Sequence, residues 1–433
     1  MRLRIPTLVL TVLAAAVLVP TGASPGDGTG TPSCSASHWV AAWTAAPSDG
    51  LADLPPVSQT YRIRIVPHQR GDAARLHLSN RFGLGPVTFG GVTIGVQRSG
   101  AAVVAGSLRP MVFRGRRRIT VAAGANVVSD PVRLPVRAFH RLLASLYVVG
   151  TPGPATEHVL AGQTTWQSAP GSGDRTHNTD GSAFTGLPVP GVAPAIPQGV
   201  PYLDGFDVRT ARRVGAVVAF GDSITDGFQG TLAPLVPVAT NIDRDRRYPD
   251  DLARRVLRAG LPFSVVNAGI SGNQLLQNAL IPIFGPAGLG RLGRDALTQP
   301  GVTTVILLEG INDIGQDFAT TTGLVAGYRR AIDRAHARGL RILLGTLTPD
   351  EGTLQPGYGT MGEAVRVAVN HWIRTQHRAD GVIDFDRAVR DPADPARILP
   401  AYDGGDHLHF SPAGYRAMAA AVPLRALARP ACR

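Results

Sequence analysis

The stretch VGAVVAFGDSITDG, residues 214–227, decides the fold of the C-terminal half of this chain. Residues 214–220 are a continuous apolar run, which is typical of a strand buried on both faces of a parallel sheet. Glycine and polar residues follow immediately in Gly221-Asp222-Ser223. In open α/β sheets, ligands bind at the carboxyl ends of the strands. We therefore expect the hydroxyl of Ser223 to face a cleft.

Strand-like and helix-like segments alternate after this stretch. The pattern predicts strands over residues 263–267, 303–308, 342–347 and 382–385, and helices over 249–259, 322–337, 361–377 and 411–422. Such alternation is typical of a parallel sheet with helices on both faces, which is a three-layer α/β/α domain. We place this domain at residues 210–428.

The N-terminal half has the short, turn-punctuated pattern of an all-β region. Residues 61–65, YRIRI, alternate polar and apolar as a half-buried strand does, and further strands are predicted over 87–96, 119–121, 127–134 and 142–149. We expect a β-sandwich-like domain over residues 35–167. Residues 168–209, rich in Pro, Gly, Ser and Thr, are interpreted as an irregular connection.

Composition and charge limit the class of protein. The chain has 433 residues, 44% of them hydrophobic and 17% charged, so it is a folded protein with room for two domains. Its net charge is +12, and it contains no lysine, so arginine supplies the positive charges. No nucleic-acid-binding module accompanies this charge. The excess either reflects a compositional bias or favours anionic surfaces such as cell walls, polysaccharide or phospholipid. The cluster at residues 114–118, RGRRR, predicts a solvated turn.

The N-terminus predicts export. Residues 1–23 combine Arg2 and Arg4, an apolar run and small residues before the expected cleavage site, which is typical of a signal peptide; a retained membrane anchor is the alternative. No other stretch is long and apolar enough to span a bilayer, so we expect a secreted, extracellular protein without stable membrane insertion. Cys34 and Cys432 are able to form an intrachain disulfide in that oxidising setting, or to remain free thiols.

Four groups of polar residues follow predicted strands and together supply what acyl transfer requires. Ser223 provides the nucleophile, His409 the general base, and Asp406 a carboxylate to orient that base. The side-chain amide of Asn312 and the backbone N–H groups of Ser223 and Gly272 provide donors for an oxyanion hole. The chemistry needs no cofactor.

Several of these residues also fit other interpretations. Asp222 and Asp313 are expected to brace the loops, and Glu309 is assigned no role. His407 and His409 form a His-x-His pattern beside acidic residues, which is also found in metal sites, but the serine hypothesis already uses His409. Residues 288–293, GLGRLG, have the spacing of a dinucleotide-binding loop, but they follow prolines rather than a strand.

At these residues the chain resembles the SGNH/GDSL hydrolase family. The family's four blocks occur in order: Gly221-Asp222-Ser223, Gly272, Asn312, and the Asp406-x-x-His409 pair, with Ile224 where the family name has leucine. The resemblance covers residues 210–428 and implies a flavodoxin-like α/β/α fold. It also implies a Ser223–His409–Asp406 triad, with Ser223, Gly272 and Asn312 as oxyanion donors. The phrases at residues 39–43 and 78–83 resemble the β-rich extension of some secreted actinobacterial members.

The sequence thus predicts a secreted serine ester hydrolase that acts through an acyl-Ser223 intermediate. The expected substrate is an acylated carbohydrate that loses acetyl groups, because the protein is exported and carries a β-rich companion domain. A lipase or phospholipase is the nearest alternative. A third is a carbohydrate-binding protein with a degenerate hydrolase domain, but intact Ser223, Asn312, Asp406 and His409 oppose it.

Overall fold

A computed structural model describes residues 37–50, 55–187, 199–210, 214–229, 231–233, 236–237, 242–353, 355 and 357–427. The predicted signal peptide at residues 1–23 and both cysteines, Cys34 and Cys432, lie outside the described residues. From residue 37 onward the described chain forms one compact unit. No helix in this described part has the length and apolar character needed to span a membrane.

The N-terminal region consists of short strands. They are β1 (His38–Thr44), β2 (Thr60–Ile65), β3 (Gly71–Ser79), β4 (Val87–Ser99), β5 (Ala102–Val103), β6 (Arg109–Pro110), β7 (Ile119–Val121), β8 (Asn126–Val128), β9 (Val132–Val136), β10 (Leu142–Val148), β11 (Glu157–His158), β12 (Thr165–Ser168), β13 (Phe184–Gly186), β14 (Val200–Pro201) and β15 (Leu203–Thr210). One antiparallel sheet has the order β1-β15-β3-β8, with β9 also paired to β3. A second has the order β13-β12-β2-β10-β4-β5, with β6 and β7 also paired to β4, and β11 pairs with β14 separately.

The two larger sheets share one hydrophobic core and therefore form a β-sandwich. Tyr61, Ile63 and Ile65 of β2 point into this core together with Leu76 and Leu78 of β3. The strand predicted over residues 61–65 is therefore present, with its apolar side chains buried as expected.

The other face of β2 differs from the sequence prediction. Arg62 and Arg64 are buried rather than solvated. The guanidinium of Arg62 donates to the carbonyls of Ala101 and Asn178 at 2.6 and 2.8 Å, and it lies over the ring of Phe184. Later segments thus cover the strand and satisfy its charges, so β2 is buried on both faces.

Two predictions for this region are wrong in detail. The strand expected over residues 127–134 is two strands, β8 and β9, separated at Asp130-Pro131, where proline has no N–H to continue a ladder. The irregular connection expected over residues 168–209 contains β15, which lies between β1 and β3. A register shift between Leu203 and Gly205 breaks the alternation that would have revealed this strand.

The C-terminal region is built on a parallel five-stranded sheet. Its strands are β16 (Gly215–Gly221), β19 (Phe263–Gly269), β20 (Val302–Leu308), β21 (Arg341–Gly345) and β22 (Gly381–Ile383), in the order β19-β16-β20-β21-β22. The short strands β17 (Thr231–Ala233) and β18 (Val236–Pro237) pair with each other. The helices are α1 (Ser223–Asp226), α2 (Tyr248–Arg258), α3 (Gly288–Leu292), α4 (Ile311–Asp317), α5 (Thr321–His336), α6 (Glu363–Thr375), α7 (Phe385–Val389), α8 (Pro412–Ala421) and α9 (Leu424–Leu427).

The strand order places helices on both faces of this sheet. The connection from β16 to β19 through α2 runs in the opposite direction along the sheet from the later connections through α3, α5 and α6. Right-handed crossovers put helices of opposite direction on opposite faces. In agreement, α2 packs against α8, whereas α5 packs against α3 and α6. The predicted three-layer α/β/α architecture is therefore confirmed.

The β-sandwich protects the outer edge of this parallel sheet at β19. The hydroxyl of Thr44 donates to the carbonyl of Asn267 at 2.6 Å, and Nδ1 of His68 donates to the carbonyl of Val265 at 2.6 Å. These carbonyls lie on alternate residues of an edge strand that, within the described residues, has no hydrogen-bonded strand on that side. Side chains from the sandwich thus satisfy an edge that would otherwise be open for pairing with another chain.

We expect Thr44→Val to lower the free energy of unfolding by about 1–3 kcal/mol, because the buried carbonyl of Asn267 loses its donor while side-chain volume is retained. Urea denaturation measures this difference. Thr120→Val is the matched control, since the Thr120 hydroxyl lies in an exposed pair with Thr88. Equal effects of the two substitutions would contradict the proposed importance of the covered edge.

Candidate active site

Ser223 lies at the first position of α1, immediately after the buried strand β16. Asp222 is the N-cap of this helix, and its carboxylate accepts from the N–H of Ile224 at 2.9 Å. A side chain at Gly221 would come within 2.0 Å of the carbonyl oxygen of Leu308 on the neighbouring strand. The close approach of two strand ends therefore requires glycine before the serine.

Ser223, His409 and Asp406 form a continuous hydrogen-bonded series. The Oγ of Ser223 lies 2.8 Å from Nε2 of His409, and Nδ1 of His409 lies 2.7 Å from Oδ2 of Asp406. This arrangement makes Nδ1 the donor to the carboxylate and leaves Nε2 to accept from the serine hydroxyl. The three side chains come from two ends of the domain, separated by 186 residues between serine and histidine.

The loop that carries His409 holds the carboxylate of Asp406 in its ionised form. Burial would raise the pKa of Asp406, but the charge of His409 and the hydrogen bonds from its ring and backbone outweigh burial and lower the pKa below its usual range. The N–H groups of His409 and Leu408 donate to Oδ1 at 2.8 and 3.2 Å. The carboxylate therefore presents its second oxygen to the imidazole in a fixed direction.

A second carboxylate, Asp403, shapes the same loop. It accepts from the N–H groups of Gly405 and His407 and from the ring of His407. His407 has a φ of +60°, a conformation that costs free energy for any residue with a side chain. The His407 ring is engaged by Asp403 and does not reach Ser223, so the sequence pattern His-x-His does not bring two histidines to one point.

Gly272 and Asn312 line the same cavity as Ser223. Gly272 has a φ of +77°, and a Cβ there would fall 2.3 Å from the ring of Phe284. Nδ2 of Asn312 donates to the carbonyl of Asn273 at 2.8 Å, and Oδ1 accepts from the hydroxyl of Tyr358 at 2.8 Å. The amide of Asn312 is thus fixed on both sides, with its nitrogen on the side of the Gly272 loop.

Three donors remain for a ligand in this cavity. Within the described part of the chain, the backbone N–H groups of Ser223 and Gly272 have no hydrogen-bond acceptor, and the amide of Asn312 uses only one of its two hydrogens. Donors in this number around a hydroxyl nucleophile suit an oxygen that becomes negatively charged.

The cavity beside Ser223 measures about 70 Å³ and is mainly apolar. Phe228, Phe284 and Leu160 form apolar walls, and Gln316 and Gln355 add polar groups. The ring of Phe228 also lies 4.9 Å from that of His409, centroid to centroid, which restricts the imidazole to the plane of its two hydrogen bonds. The site is therefore a small apolar pocket with the polar groups gathered at one end.

A buried arginine joins the strand ends below the cavity. The guanidinium of Arg291 in α3 donates to the carbonyls of Gly221 and Ala268 at 2.8 and 2.7 Å and to Oδ1 of Asn273 at 2.6 Å. It also lies 3.3 Å from Oε1 of Glu309. These acceptors belong to the ends of β16, β19 and β20 and to the loop that follows β19. Residues 288–293, which imitate a dinucleotide-binding loop in sequence, thus form a supporting helix.

Three buried acids near these strand ends have raised pKa values. Burial raises the pKa of Glu309 to about 8 in spite of Arg291. Burial also raises the pKa of Asp222 to about 7 and that of Asp313 to about 6. Asp313 accepts from the N–H groups of Leu275 and Leu276 at 2.7 and 2.8 Å. The acids at positions 222 and 313 therefore hold loops, as the sequence suggested.

The structure brings all five predicted residues together: the carboxylate of Asp406 through His409, and the other four around one cavity. Sequence reasoning missed the residues that hold them, chiefly Arg291, Tyr358 and Phe228. Gln316 offered a signal, because it lies four residues after Asn312 on the same helix face and donates to its Oδ1 at 3.4 Å. Among the described residues, no group of three or more His, Cys, Asp or Glu side chains is arranged to hold a metal ion.

We expect Asp222→Asn to change the pH dependence of stability. The folded-state pKa of about 7 exceeds the unfolded value, near 4, so the folded protein binds more protons between these pH values and loses stability as the pH rises. Asparagine does not titrate and still accepts from the N–H of Ile224. The free energy of unfolding of the variant, relative to that of wild type, should therefore increase as the pH rises from 5 to 8. Urea denaturation at each pH measures it. The exposed substitution Asp394→Asn is the control, and parallel pH profiles for wild type and Asp222→Asn would refute the expectation.

Comparison with known proteins gives one family match. Residues 219–417 match the model of the GDSL-like lipase/acylhydrolase family. No curated protein matches the chain.

Three solved structures share partial likeness with the chain. The M. smegmatis aryl esterase is 20% identical, with 48% of this chain and 96% of that chain covered and a TM-score of 0.38. A carbohydrate acetylesterase from Sinorhizobium meliloti is 16% identical, with 49% and 99% covered and a TM-score of 0.40. A family two carbohydrate esterase from Clostridium thermocellum, in complex with cellohexaose, is 16% identical, with 88% and 96% covered and a TM-score of 0.36. The family match, together with the blocks around Ser223, Gly272, Asn312 and His409, identifies residues 219–417 as a GDSL-like lipase/acylhydrolase domain, that is, the domain of a carboxylic ester hydrolase.

Proposed function

We propose that the protein hydrolyses esters of short acyl groups through an acyl-Ser223 intermediate. The observation that carries this proposal is the hydrogen-bonded series Ser223–His409–Asp406, which opens on a small apolar cavity with three donors at one end. The base lies within hydrogen-bond distance of the nucleophile on one side and of the orienting carboxylate on the other, as acyl transfer requires.

In the first half of the reaction, Oγ of Ser223 attacks the ester carbonyl while Nε2 of His409 takes the serine proton. Asp406 stabilises the imidazolium that forms, because its carboxylate is already ionised and hydrogen-bonded to Nδ1. The N–H groups of Ser223 and Gly272 and the amide of Asn312 stabilise the negative oxygen. His409 then protonates the departing alcohol, and the acyl group remains on Ser223.

In the second half, water replaces the alcohol. His409 takes a proton from this water, the resulting nucleophile attacks the acyl-Ser223 carbonyl, and the same donors stabilise the second negative oxygen. Collapse returns the proton to Oγ of Ser223 and releases the carboxylic acid. These reaction steps use no cofactor.

The size of the cavity favours a short acyl group. A single water needs ~10–15 Å³ of space on the same measure. A cavity of about 70 Å³ therefore accommodates a few non-hydrogen atoms, as in acetyl, rather than an extended fatty-acyl chain. For the alcohol we propose a carbohydrate, because Gln316 and Gln355 line the cavity and supply hydrogen-bonding groups that suit hydroxyls.

A lipid substrate is the second candidate. Loops that follow the same strand ends expose Leu280 and Phe318, which are 96% and 65% accessible. Exposed apolar side chains of this kind suit contact with an aggregated lipid. The narrow cavity opposes long acyl chains, so this candidate is ranked below the acetyl ester.

We also propose export to the extracellular space. The support for this proposal is the signal-peptide pattern of residues 1–23.

The proposal is tested with p-nitrophenyl acetate, butyrate and palmitate. We expect the wild type to prefer acetate, and Ser223→Ala to lower kcat by at least about 10³-fold on every active ester, because the nucleophile is lost. Ser182→Ala, on the surface of the β-sandwich, is the matched control. Equal rates for wild type and Ser223→Ala would refute serine catalysis, whereas a preference for palmitate would favour the lipase.

We expect Asn312→Ala to lower kcat about 10²–10³-fold with little change in KM, because the lost donor acts mainly on the developing oxyanion. Tyr358→Phe should give a smaller loss in the same direction, since it keeps the Asn312 amide and removes the hydrogen bonds of the Tyr358 hydroxyl to Oδ1 of Asn312 and from Nε2 of Gln316. Steady-state kinetics on p-nitrophenyl acetate separate kcat from KM. A rise in KM with unchanged kcat for Asn312→Ala would assign the residue to ground-state binding instead.

A further inference from the structure

We propose that the N-terminal region is part of the catalytic pocket, and that one of its residues, Leu160, limits the length of the acyl chain. This inference rests on the proposed hydrolysis at Ser223. Leu160 lines the cavity that also contains Ser223 and His409, although it is contributed by the loop after β11. The N-terminal region therefore contributes part of the wall of this cavity.

The segment that carries Leu160 is held firmly within the N-terminal region. The N–H of Glu157 donates to the carbonyl of Asp49 at 2.8 Å, and the N–H of Asp49 donates to the carbonyl of Glu157 at 3.2 Å. Glu157 also pairs with Pro201 where β11 meets β14. The N–H of Val159 donates to the hydroxyl of Ser48 at 3.2 Å. Leu160 is thus one residue beyond a segment with a defined backbone position.

His158 joins this segment directly to the helix that begins with Ser223. Its Nδ1 donates to the carbonyl of Ala46 at 2.8 Å, and its Nε2 lies 3.1 Å from Oδ1 of Asp226, the last residue of α1. Burial would lower the pKa of His158, but the carboxylate of Asp226 outweighs burial and raises that pKa.

Asp226 continues this connection to the oxyanion loop. Its other oxygen, Oδ2, accepts from the N–H and the hydroxyl of Ser271 at 3.1 and 2.7 Å, immediately before Gly272. The loop that carries Leu160 is therefore positioned relative to both Ser223 and Gly272 through one buried carboxylate. A wall attached in this way does not withdraw easily to admit a longer substrate.

Leu160 belongs to an apolar cluster that closes one side of the pocket. Val159, Leu160 and Phe284 form its buried part, and Phe228 packs against it. Phe284 also lies against Gly272, and Phe228 against the ring of His409. This cluster is the only apolar surface at which the N-terminal region reaches the cavity within the described residues. Truncating Leu160 removes apolar volume next to the reacting carbonyl and should lengthen the pocket on the acyl side.

The test compares Leu160→Ala and Leu160→Phe with wild type on p-nitrophenyl acetate, butyrate, hexanoate and octanoate. We expect Leu160→Ala to raise the ratio of kcat/KM for hexanoate to that for acetate by about tenfold, within the range seen when pocket volume changes by a few methylenes. Leu160→Phe should lower the ratio of kcat/KM for butyrate to that for acetate. Leu134→Ala is the matched control, because Leu134 is also a buried leucine, in the β-sandwich core, but does not line the cavity.

The outcomes separate this inference from the proposed function. If wild type hydrolyses the esters and Ser223→Ala does not, the proposed function stands. An unchanged chain-length profile in both Leu160 variants then overturns the role of Leu160. A similar shift in Leu134→Ala would also overturn it, since general loosening of the sandwich would be the cause. Thermal unfolding of each variant shows that it is folded. If Leu160→Ala does not fold, the shift expected for Leu160→Phe, or its absence, decides the question.

Discussion

The candidate site depends on the burial of one charge, the guanidinium of Arg291. Arginine stays protonated in proteins, so burying it costs several kcal/mol unless its N–H groups find acceptors. Those acceptors are the carbonyls of Gly221 and Ala268, the side chain of Asn273 and the carboxyl of Glu309. They lie at the ends of three neighbouring strands. The need to satisfy Arg291 therefore fixes the spacing of the loops that present the serine, the glycine and the asparagine.

The acids around Arg291 show that this spacing has an energetic cost. The pKa of Glu309 is raised to about 8 and that of Asp222 to about 7, mainly because both carboxyls are withdrawn from water. Asp406 differs, because its pKa is lowered by His409 and by backbone N–H groups. Carboxyls of the same domain thus shift in opposite directions, because burial dominates for Glu309 and Asp222 and hydrogen-bonding partners dominate for Asp406. Of these three carboxyls, Asp406 is the one hydrogen-bonded to the imidazole of His409.

Much of the fold could be predicted from the sequence, because the relevant signals are local. The helices α2, α5, α6 and α8 and the strands β19 to β22 follow from periodicity, with ends that differ by a few residues. The positions of Ser223, Gly272, Asn312, Asp406 and His409 follow from their blocks at strand ends. Arg291, Tyr358 and Leu160 could not be found in this way, because their roles arise from contacts between residues far apart in sequence. Strand β15 was missed because a bulge disturbs its alternation.

Two kinds of contact join the β-sandwich to the parallel sheet, and each has a different role. At β19, Thr44 and His68 satisfy backbone carbonyls, which protects an edge that the parallel sheet cannot close by itself. At the carboxyl end of the same strand, His158 fixes Asp226 and so connects the sandwich to the turn that begins with Ser223. Both contacts involve side chains that are buried only because the two regions lie together. Separating the regions would expose the edge of β19 and remove one wall of the pocket at once, so stability and acyl selectivity are expected to depend on the same interface.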